Sequence, residues 1–433
     1  MYNACKDVEK KDGRKVDLIL CCGDFESIRN ENDLACMACP PKYREMVTFW
    51  KYYSGESIAP IPTIFIHGNH EASNYLMELP YGGWVAPNVY YMGFAGIVNF
   101  AGIRIAGFGG IFNRGNFHKG RYETCPLNDS TMRSLYHCRE YEMFQMLQVR
   151  ILAPPTFVRT SSKCHRSPMS CLICSSSLQV TSPIDIMLSH DWPVSAATKG
   201  DTRDLLRKKP FFKEDIERGE LGNPAHDKLI DILKPSYWFS AHMHVKHAAV
   251  MGNEEECQHH HDAAAEEHFI PHDGKTRFLA LDKIIPGRDF MQILDFPVRS
   301  EYLASETSES GSSSENVENS EIPKLGLVNS RFTLDYDVEW LSIIKSTQCF
   351  YPRETRANMP NRNNPVIFPK NIAFSTDATG VPRFDFRATQ EELQEIRDLL
   401  NNDFKIPDNF IMVSAYRTAT PQLLTFSLFM CIT

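Results

Sequence analysis

Apolar and polar positions fall along this chain in blocks. Four blocks are short, apolar almost throughout and end abruptly in polar residues. They are Val16-Asp-Leu-Ile-Leu-Cys-Cys before Gly23-Asp24, and Thr63-Ile-Phe-Ile66 before Gly68-Asn69-His70-Glu71. The other two are Ile184-Asp-Ile-Met-Leu188 before Ser189-His190-Asp191, and Tyr237-Trp-Phe239 before Ala241-His242-Met243-His244. Runs of this length and residue type predict strands buried on both faces, as in a parallel sheet. Residues 1–110 alternate strands with helical stretches, the rhythm of a doubly wound α/β sheet. Residues 111–148 break that rhythm and then turn helical around Ser134 to Gln148. Order is expected to restart at Phe332 to Trp340. Thr389-Gln-Glu-Glu392 predicts a capping box opening a helix with Leu393, Ile396, Leu399 and Leu400 on one face.

Composition adds boundaries. At 42% hydrophobic and 23% charged, the chain reads as a soluble protein with ample core. The first fifteen residues are polar, so no secretory signal is expected. The apolar stretch Leu423–Ile432 has ten residues, against roughly 20 for a membrane span. An odd count of thirteen cysteines without a framework points to reduced thiols in an intracellular compartment. The formal charge of −8 is uneven: residues 251–325 hold sixteen Asp/Glu against six Lys/Arg, leaving about +2 elsewhere. The acidity is therefore local and does not oppose a nucleic-acid partner. Residues 150–178 are Ser-, Pro- and Cys-rich and flanked by a repeated Leu-Gln-Val, which reads as a retained intron. Cys164-His165 with Cys171-x-x-Cys174 is the weaker alternative of a zinc knuckle. Residues 251–274 read as an acidic, His-rich loop and 304–320 as a disordered linker.

The candidate chemistry follows from where the four runs end. In open α/β sheets, ligands collect beyond the carboxyl ends of strands. One crevice there would gather Asp24, Asn69, His190, His242 and His244 as metal ligands. A carboxylate can bridge two cations, a neutral Asn oxygen leaves net positive charge for an anion, and imidazoles suit Zn, Fe or Mn. Two cations roughly 3.5–4 Å apart can clamp a phosphoryl group and activate water. His70, beside Asn69, is the candidate to protonate a leaving oxygen. Arg29 is read as supporting Asp24's loop or contacting phosphate. Between 111 and 139, Arg114, Lys119, Arg121, Arg133 and Arg139 face only Glu123 and Asp129, with Phe112, Phe117, Tyr122 and Tyr136 interleaved. Basic plus aromatic suits RNA; an ordinary surface insertion is the plainer reading.

Gly-Asp, Gly-Asn-His-Glu, a lone His and His-x-His in that order resemble the calcineurin-like metallophosphoesterase superfamily. Within it the chain resembles the RNA lariat debranching enzymes. That resemblance is carried by Leu20-Cys-Cys-Gly-Asp-Phe-Glu, Glu78-Leu-Pro-Tyr-Gly-Gly-Trp-Val-Ala-Pro-Asn88, Ser189-His-Asp-Trp-Pro193, Tyr237-Trp-Phe-Ser-Ala-His242, Phe278-Leu-Ala-Leu-Asp-Lys283 and Asp335-Tyr-Asp-Val-Glu-Trp340. It implies an α/β metallophosphoesterase β-sandwich of mixed sheets flanked by helices. The phosphoesterase domain would span 1–250, with a lariat recognition loop at 110–148, and a smaller C-terminal domain would span 275–412. It also implies hydrolysis of the 2′,5′-phosphodiester of intron lariats in the nucleus, with one or two divalent ions (Fe, Zn or Mn). Asp24 would bridge, Asn69, His190 and His242 would complete one site, and His244 would belong to the other. Catalytic roles fall to His70, Asp24 and Asn69, and substrate contacts to Arg29, Arg114, Lys119, Arg121, Tyr122, Arg133 and Tyr136. Branched intron RNA is the expected partner, spliceosome-associated proteins are candidates, and a monomer off the membrane is expected.

The chain departs from that pattern in two places. Family members begin with a central strand ending in Cys-x-His-Gly, and this sequence starts just after it, which would leave neighbouring strands without backbone partners. The tail, 413–433, no longer resembles the family. Two other readings stay open: a general metallophosphoesterase, and a form that binds metal and branched RNA without cutting.

Overall fold

The computed structural model describes residues 1–149, 182–252, 270–297, 327, 330, 332–348, 388–407 and the backbone of 427–431. The insert at 150–178, the linker at 304–320 and most of the acidic loop and tail lie outside these residues. Two mixed sheets stack face to face. The first has strands β1 (Leu18–Cys21), β2 (Thr63–Phe65), β3 (Gly83–Ala86), β4 (Val89–Tyr91), β11 (Met291–Asp295) and β13 (Ser427–Cys431), in the order β11-β13-β1-β2-β4-β3. The second has β5 (Ala95–Phe100), β6 (Ile103–Phe108), β7 (Ile186–Ser189), β8 (Tyr237–Ser240), β9 (His247–Met251), β10 (Thr276–Ala280) and β12 (Leu334–Tyr336), in the order β12-β5-β6-β7-β8-β10-β9.

The four apolar runs are β1, β2, β7 and β8. They read as apolar throughout because both faces are covered. Leu18 and Leu20 of β1, Ile64 of β2, and Ile186 and Leu188 of β7 meet between the sheets. Their neighbours turn outward: Cys21 and Phe65 under Phe49 and Tyr75, Met187 and Trp238 under Leu229 and Leu233 of the helix Pro224–Leu233.

The first 110 residues do not form one doubly wound sheet. β1 and β2 pair in parallel within the first sheet, but β5 and β6 form an antiparallel hairpin that founds the second. The hairpin turns through Ala101 and Gly102, both at positive φ (51° and 78°), the two-residue turn that matches strand twist. The chain then adds β7 and β8 to β6 in parallel.

The central position expected to lack a strand is filled. β13 runs parallel to β1, Leu18 opposite Leu428 through Cys21 opposite Cys431, and antiparallel to β11 on its other side. Backbone groups of β1 and β11 are therefore paired by the tail segment. The expected helix forms at Gln390–Leu399 with its Thr389–Glu392 capping box. Its apolar stripe is narrower than the spacing suggested, since Leu393 and Ile396 are buried whereas Leu399 is 66% exposed. A second C-terminal helix, Val338–Thr347, is fixed to β6 through buried Arg104. The guanidinium meets Asp337 at 2.7 Å and Glu339 at 2.7 Å. No helix among the described residues is long and apolar enough to cross a membrane.

Candidate metal centre

Each sheet contributes two loops to a common rim. From the first come Cys22-Gly23-Asp24 after β1 and the 66–71 loop after β2; from the second come Ser189-His190 after β7 and the 241–244 loop after β8. The loops meet more closely than side chains would permit. A Cβ on Gly23 would strike the His190 ring, and one on Gly68 would strike Asp24, so both positions require glycine. Asp24, Glu26, His242 and His244 all adopt positive φ (51°, 54°, 62° and 50°), a conformation L residues rarely take. Such strain clusters where a site demands it.

His190 fixes the chemistry. Its Nδ1 lies 2.7 Å from the Cys22 carbonyl, so that nitrogen carries the hydrogen and donates it. The other nitrogen, Nε2, then turns a lone pair toward Asn69 Oδ1 at 3.2 Å and Asp24 Oδ1 at 3.4 Å. In that neutral ring Nε2 and the two oxygens are acceptors around one space; in the protonated ring the same nitrogen bonds the Asp24 carboxylate. Donors about 2.0–2.1 Å from one tetrahedral ion stand roughly 3.3–3.4 Å apart, so these three fit a single cation. A carbonyl orienting the far nitrogen is the usual support for a metal-binding imidazole. The His242 ring lies 4.9 Å from that of His190, centroid to centroid. His244 and His70 line the same cleft as Asp24. Among the described residues no three His, Cys, Asp or Glu side chains are already drawn into a metal-holding group. The tight trio here owes its third member to Asn69.

Electrostatics favour the deprotonated forms a metal needs. Burial opposes the Asp24 carboxylate, but the His190 and His70 rings and the His70 backbone N–H, at 2.8 Å, hold it below the usual carboxylate range. Burial lowers His242, and burial with the nearby charge of Lys283 brings His244 down to about 4. Glu71 was not among the residues singled out from the sequence. It accepts backbone N–H groups from Phe25 (2.9 Å), Glu26 (3.0 Å) and Gly68 (3.2 Å), clamping the Asp24 loop to the Asn69 loop. Burial and then Asp24 push its carboxyl up to about 8. Its place in Gly-Asn-His-Glu was the available signal. Asp191 likewise joins the His190 loop to the insertion, accepting the Phe112 N–H at 3.0 Å.

Residues 2–246 match the calcineurin-like phosphoesterase model, and 273–424 match that of the lariat debranching enzyme C-terminal domain. The lariat debranching enzymes of human and Drosophila melanogaster are 39% and 38% identical over 98% and 95% of this chain, and it covers 62% and 67% of theirs. Lariat debranching enzyme A of Xenopus laevis is 41% identical over 98% of the chain, which covers 63% of it. The chain belongs to the lariat debranching enzyme family. It spans somewhat under two thirds of the length of several curated relatives, 60% for that of Danio rerio. Membership implies a divalent metal.

The segment that the resemblance aligns with the debranching enzymes' recognition loop divides into two kinds of charge. Arg121 is not free to meet phosphate. Its Nε donates to Glu142 at 2.6 Å, a terminal nitrogen donates to the Leu135 carbonyl at 2.6 Å, and the guanidinium lies 3.4 Å over Phe94. This sets aside its assignment to RNA: the side chain is a buried brace. Arg139 is paired with Glu123 at 2.8 Å in the same way, and the Tyr122 hydroxyl is buried. Arg29 also serves structure, holding Asp33 at 2.9 Å and Glu78 at 3.2 Å beneath Tyr75. Arg114, Lys119 and Arg133 remain exposed. Among the described residues Lys119 and Arg133 donate only to neutral oxygens, of Asn116 and the Asp129 backbone. Tyr136 is buried near the centre, its phenol raised by that burial and sensing both Arg133 and Asp24.

Proposed function

We propose that this chain hydrolyses the 2′,5′-phosphodiester at the branch of excised intron lariats, in the nucleus, using one or two divalent ions. The observation that carries the reading is His190 Nε2 standing 3.2 Å from Asn69 Oδ1 and 3.4 Å from Asp24 Oδ1, an imidazole nitrogen and two oxygens gathered from three separate loops. With His242 they would hold one ion, and His244 would serve a second with Asp24 bridging. Zn, Fe and Mn all suit this mixed oxygen and imidazole set. A bound ion would neutralise phosphate charge and lower the pKa of its water.

The protein's own groups do the rest. His70 has its backbone N–H on Asp24 and its ring at the cleft wall, where it can give a proton to the departing 2′-oxygen. Asn69 adds no charge, so the site stays attractive to a phosphodiester. Tyr136 brings the insertion to the centre, and Arg114, Lys119 and Arg133 supply the exposed charge for RNA backbone. In this reading 1–250 is the catalytic domain, 110–148 its recognition loop and 275–412 the C-terminal domain. The protein acts as a monomer on branched RNA, alongside spliceosome-associated proteins.

The test is to give the 433-residue chain a branched RNA, its linear counterpart, DNA and a phosphoprotein, with Mn²⁺, Zn²⁺ or Fe²⁺ and with EDTA. Cleavage of the branched RNA at the 2′ linkage, abolished by EDTA, is expected. Equal hydrolysis of all four would favour a general phosphoesterase. Tight branched-RNA binding with no cleavage under any metal would favour a non-catalytic role.

A further inference from the structure

The ligand loop at 241–244 opens into β9, and one segment of the chain is fastened along the first residues of that strand. His247 donates from Nε2 to the Ala196 carbonyl at 2.9 Å, its ring stacks on Trp192 at 5.3 Å, and Gly200 bridges Ala249. A Cβ on Gly200 would strike the Ala248 carbonyl, so the two backbones lie in contact there. From Gly200 the chain forms the helix Thr202–Lys208 and the short turn Pro210–Phe212. We propose that residues 209–212 form a second RNA contact, in which Phe211 stacks on a base of the strand leaving the metal centre and Lys209 pairs with its phosphate. The inference rests on the RNA reading above.

Phe211 supplies the stacking face. At 70% exposure it is the most exposed large apolar side chain among the described residues. It is also held in place: Pro210 fixes the entry to the turn, and Phe212, its neighbour, is buried in the core cluster of Trp192 and Trp238. Among the described residues its ring contacts are Phe212, in a T-shaped pair at 4.8 Å, and the Lys209 ammonium at 5.9 Å. Most of the ring is left for a partner, and every base has a π-face to offer. A protein-docking site would surround such a ring with further apolar area. Its chain neighbours Lys208, Lys209 and Lys213 are cations instead, which suits RNA.

Lys209 supplies the charge. From 203 to 213, Arg203, Arg207, Lys208, Lys209 and Lys213 face a single acid, Asp204. Asp204 takes up Arg207 and Lys208, and the acids that follow, Glu214, Asp215 and Glu217, pair with Arg218 or Lys213. Among the described residues no carboxylate lies within 4.0 Å of the Lys209 ammonium, in contrast to Lys208, held by Asp204 at 2.8 Å. β9 begins at the rim, and the end of the helix stands beside that beginning. His247, lowered by burial, senses Lys208, and His244, lowered first by burial and Lys283, senses Lys209. A lysine without a carboxylate beside a phosphodiesterase centre is placed for a backbone phosphate.

The experiment measures binding of fluorescent branched and linear RNAs to the full chain in EDTA, by anisotropy across a salt series, for the parent, Lys209→Gln, Phe211→Leu and Phe211→Tyr. Circular dichroism confirms that each variant is folded. The parent should prefer branched RNA. Lys209→Gln should weaken branched-RNA binding roughly fivefold at 0.1 M salt and lower the salt slope by about 0.7, the value for one single-strand phosphate. Phe211→Leu keeps an apolar side chain but removes the π-face, and should weaken binding about tenfold with the slope unchanged. Phe211→Tyr should keep parental affinity because stacking needs the ring alone. Parental affinity and slope in both Lys209→Gln and Phe211→Leu, with the branched preference intact, would overturn the contact and leave the functional reading standing. A parent that binds branched and linear RNA alike would overturn both.

Discussion

Two buried polar clusters in this molecule are built from similar side chains and have opposite logic. Around Arg104, two carboxylates share a cation: Asp337 and Glu339 both pair with the guanidinium at 2.7 Å. Around His190, an Asp oxygen and an Asn oxygen lie 3.4 Å and 3.2 Å from the imidazole nitrogen, and among the described residues no Lys or Arg pairs with them. The first cluster is complete as folded and joins the C-terminal helix to β6. The second has only imidazole rings and a backbone N–H to offset its carboxylate, which leaves it open to positive charge from outside, and Asp24, His242 and His244 sit there at positive φ. A closed ion network is a fastening, whereas an open set of acceptors is a binding site.

The comparison can be broken most severely at Asp24. Asp24→Ala should lose the bound divalent ion, by elemental analysis, and lower branched-RNA cleavage at least about a thousandfold. A folded variant that keeps stoichiometric metal would remove Asp24 from the ligand set. Next is His70→Ala, which should retain metal and lose roughly 10²–10⁴-fold in cleavage rate. Loss of metal together with rate would make His70 a ligand.

Arg104→Met probes the closed cluster. It strands two buried carboxylates and should cost about 3–5 kcal/mol in urea unfolding at neutral pH, with metal content per folded molecule unchanged. The pH response should weaken. In the parent, burial opposes the Asp337 carboxylate but Arg104 holds it below its ordinary range. Its contribution is therefore complete above the unfolded value, near 4, and fades as pH falls through the depressed one. In the variant burial is opposed at Asp337 only by the Trp340 N–H and the Asn99 amide, so less stability should be lost on acidification. Should Arg104→Met also empty the metal site, the two clusters are coupled and the contrast fails.

The smallest effect sharpens the same distinction within the insertion. Changing exposed Arg114 and Lys119 to Gln should weaken branched-RNA binding modestly and lower the salt slope by about 1.4, with no loss of stability. Arg121→Gln should do the reverse, because its charge is spent on Glu142. An unchanged slope in the double variant would deny those residues a phosphate contact.

How much of this was legible depended on distance along the chain. The abrupt change to polar residues after each apolar run, through glycine at Gly23 and Gly68 and through Ser189 and Ala241, gave the strand ends, and the Thr389–Glu392 capping box gave a helix start, because both are local. Arg121 was misread because its partner Glu142 sits twenty-one positions away. Counting bases against acids from 111 to 139 left that glutamate outside the window. Glu71 was passed over since its role is to join two loops, Phe25 and Glu26 on one side and Gly68 on the other. β13 could not be foreseen at all, because strand pairing depends on which edge is vacant, a property of the assembled sheet.

By itself, then, the sequence determined the four strands that carry the site, the order of donor residues at their ends and the family, since residue types and short spacings carry all three. Only the tertiary structure decided that the donors come from two sheets rather than one, which arginines are fastenings and which face solvent, and that the tail completes the first sheet. The physical reason is that pairing of charges and of backbone edges is settled by proximity in space, and proximity follows from packing both faces of each strand at once.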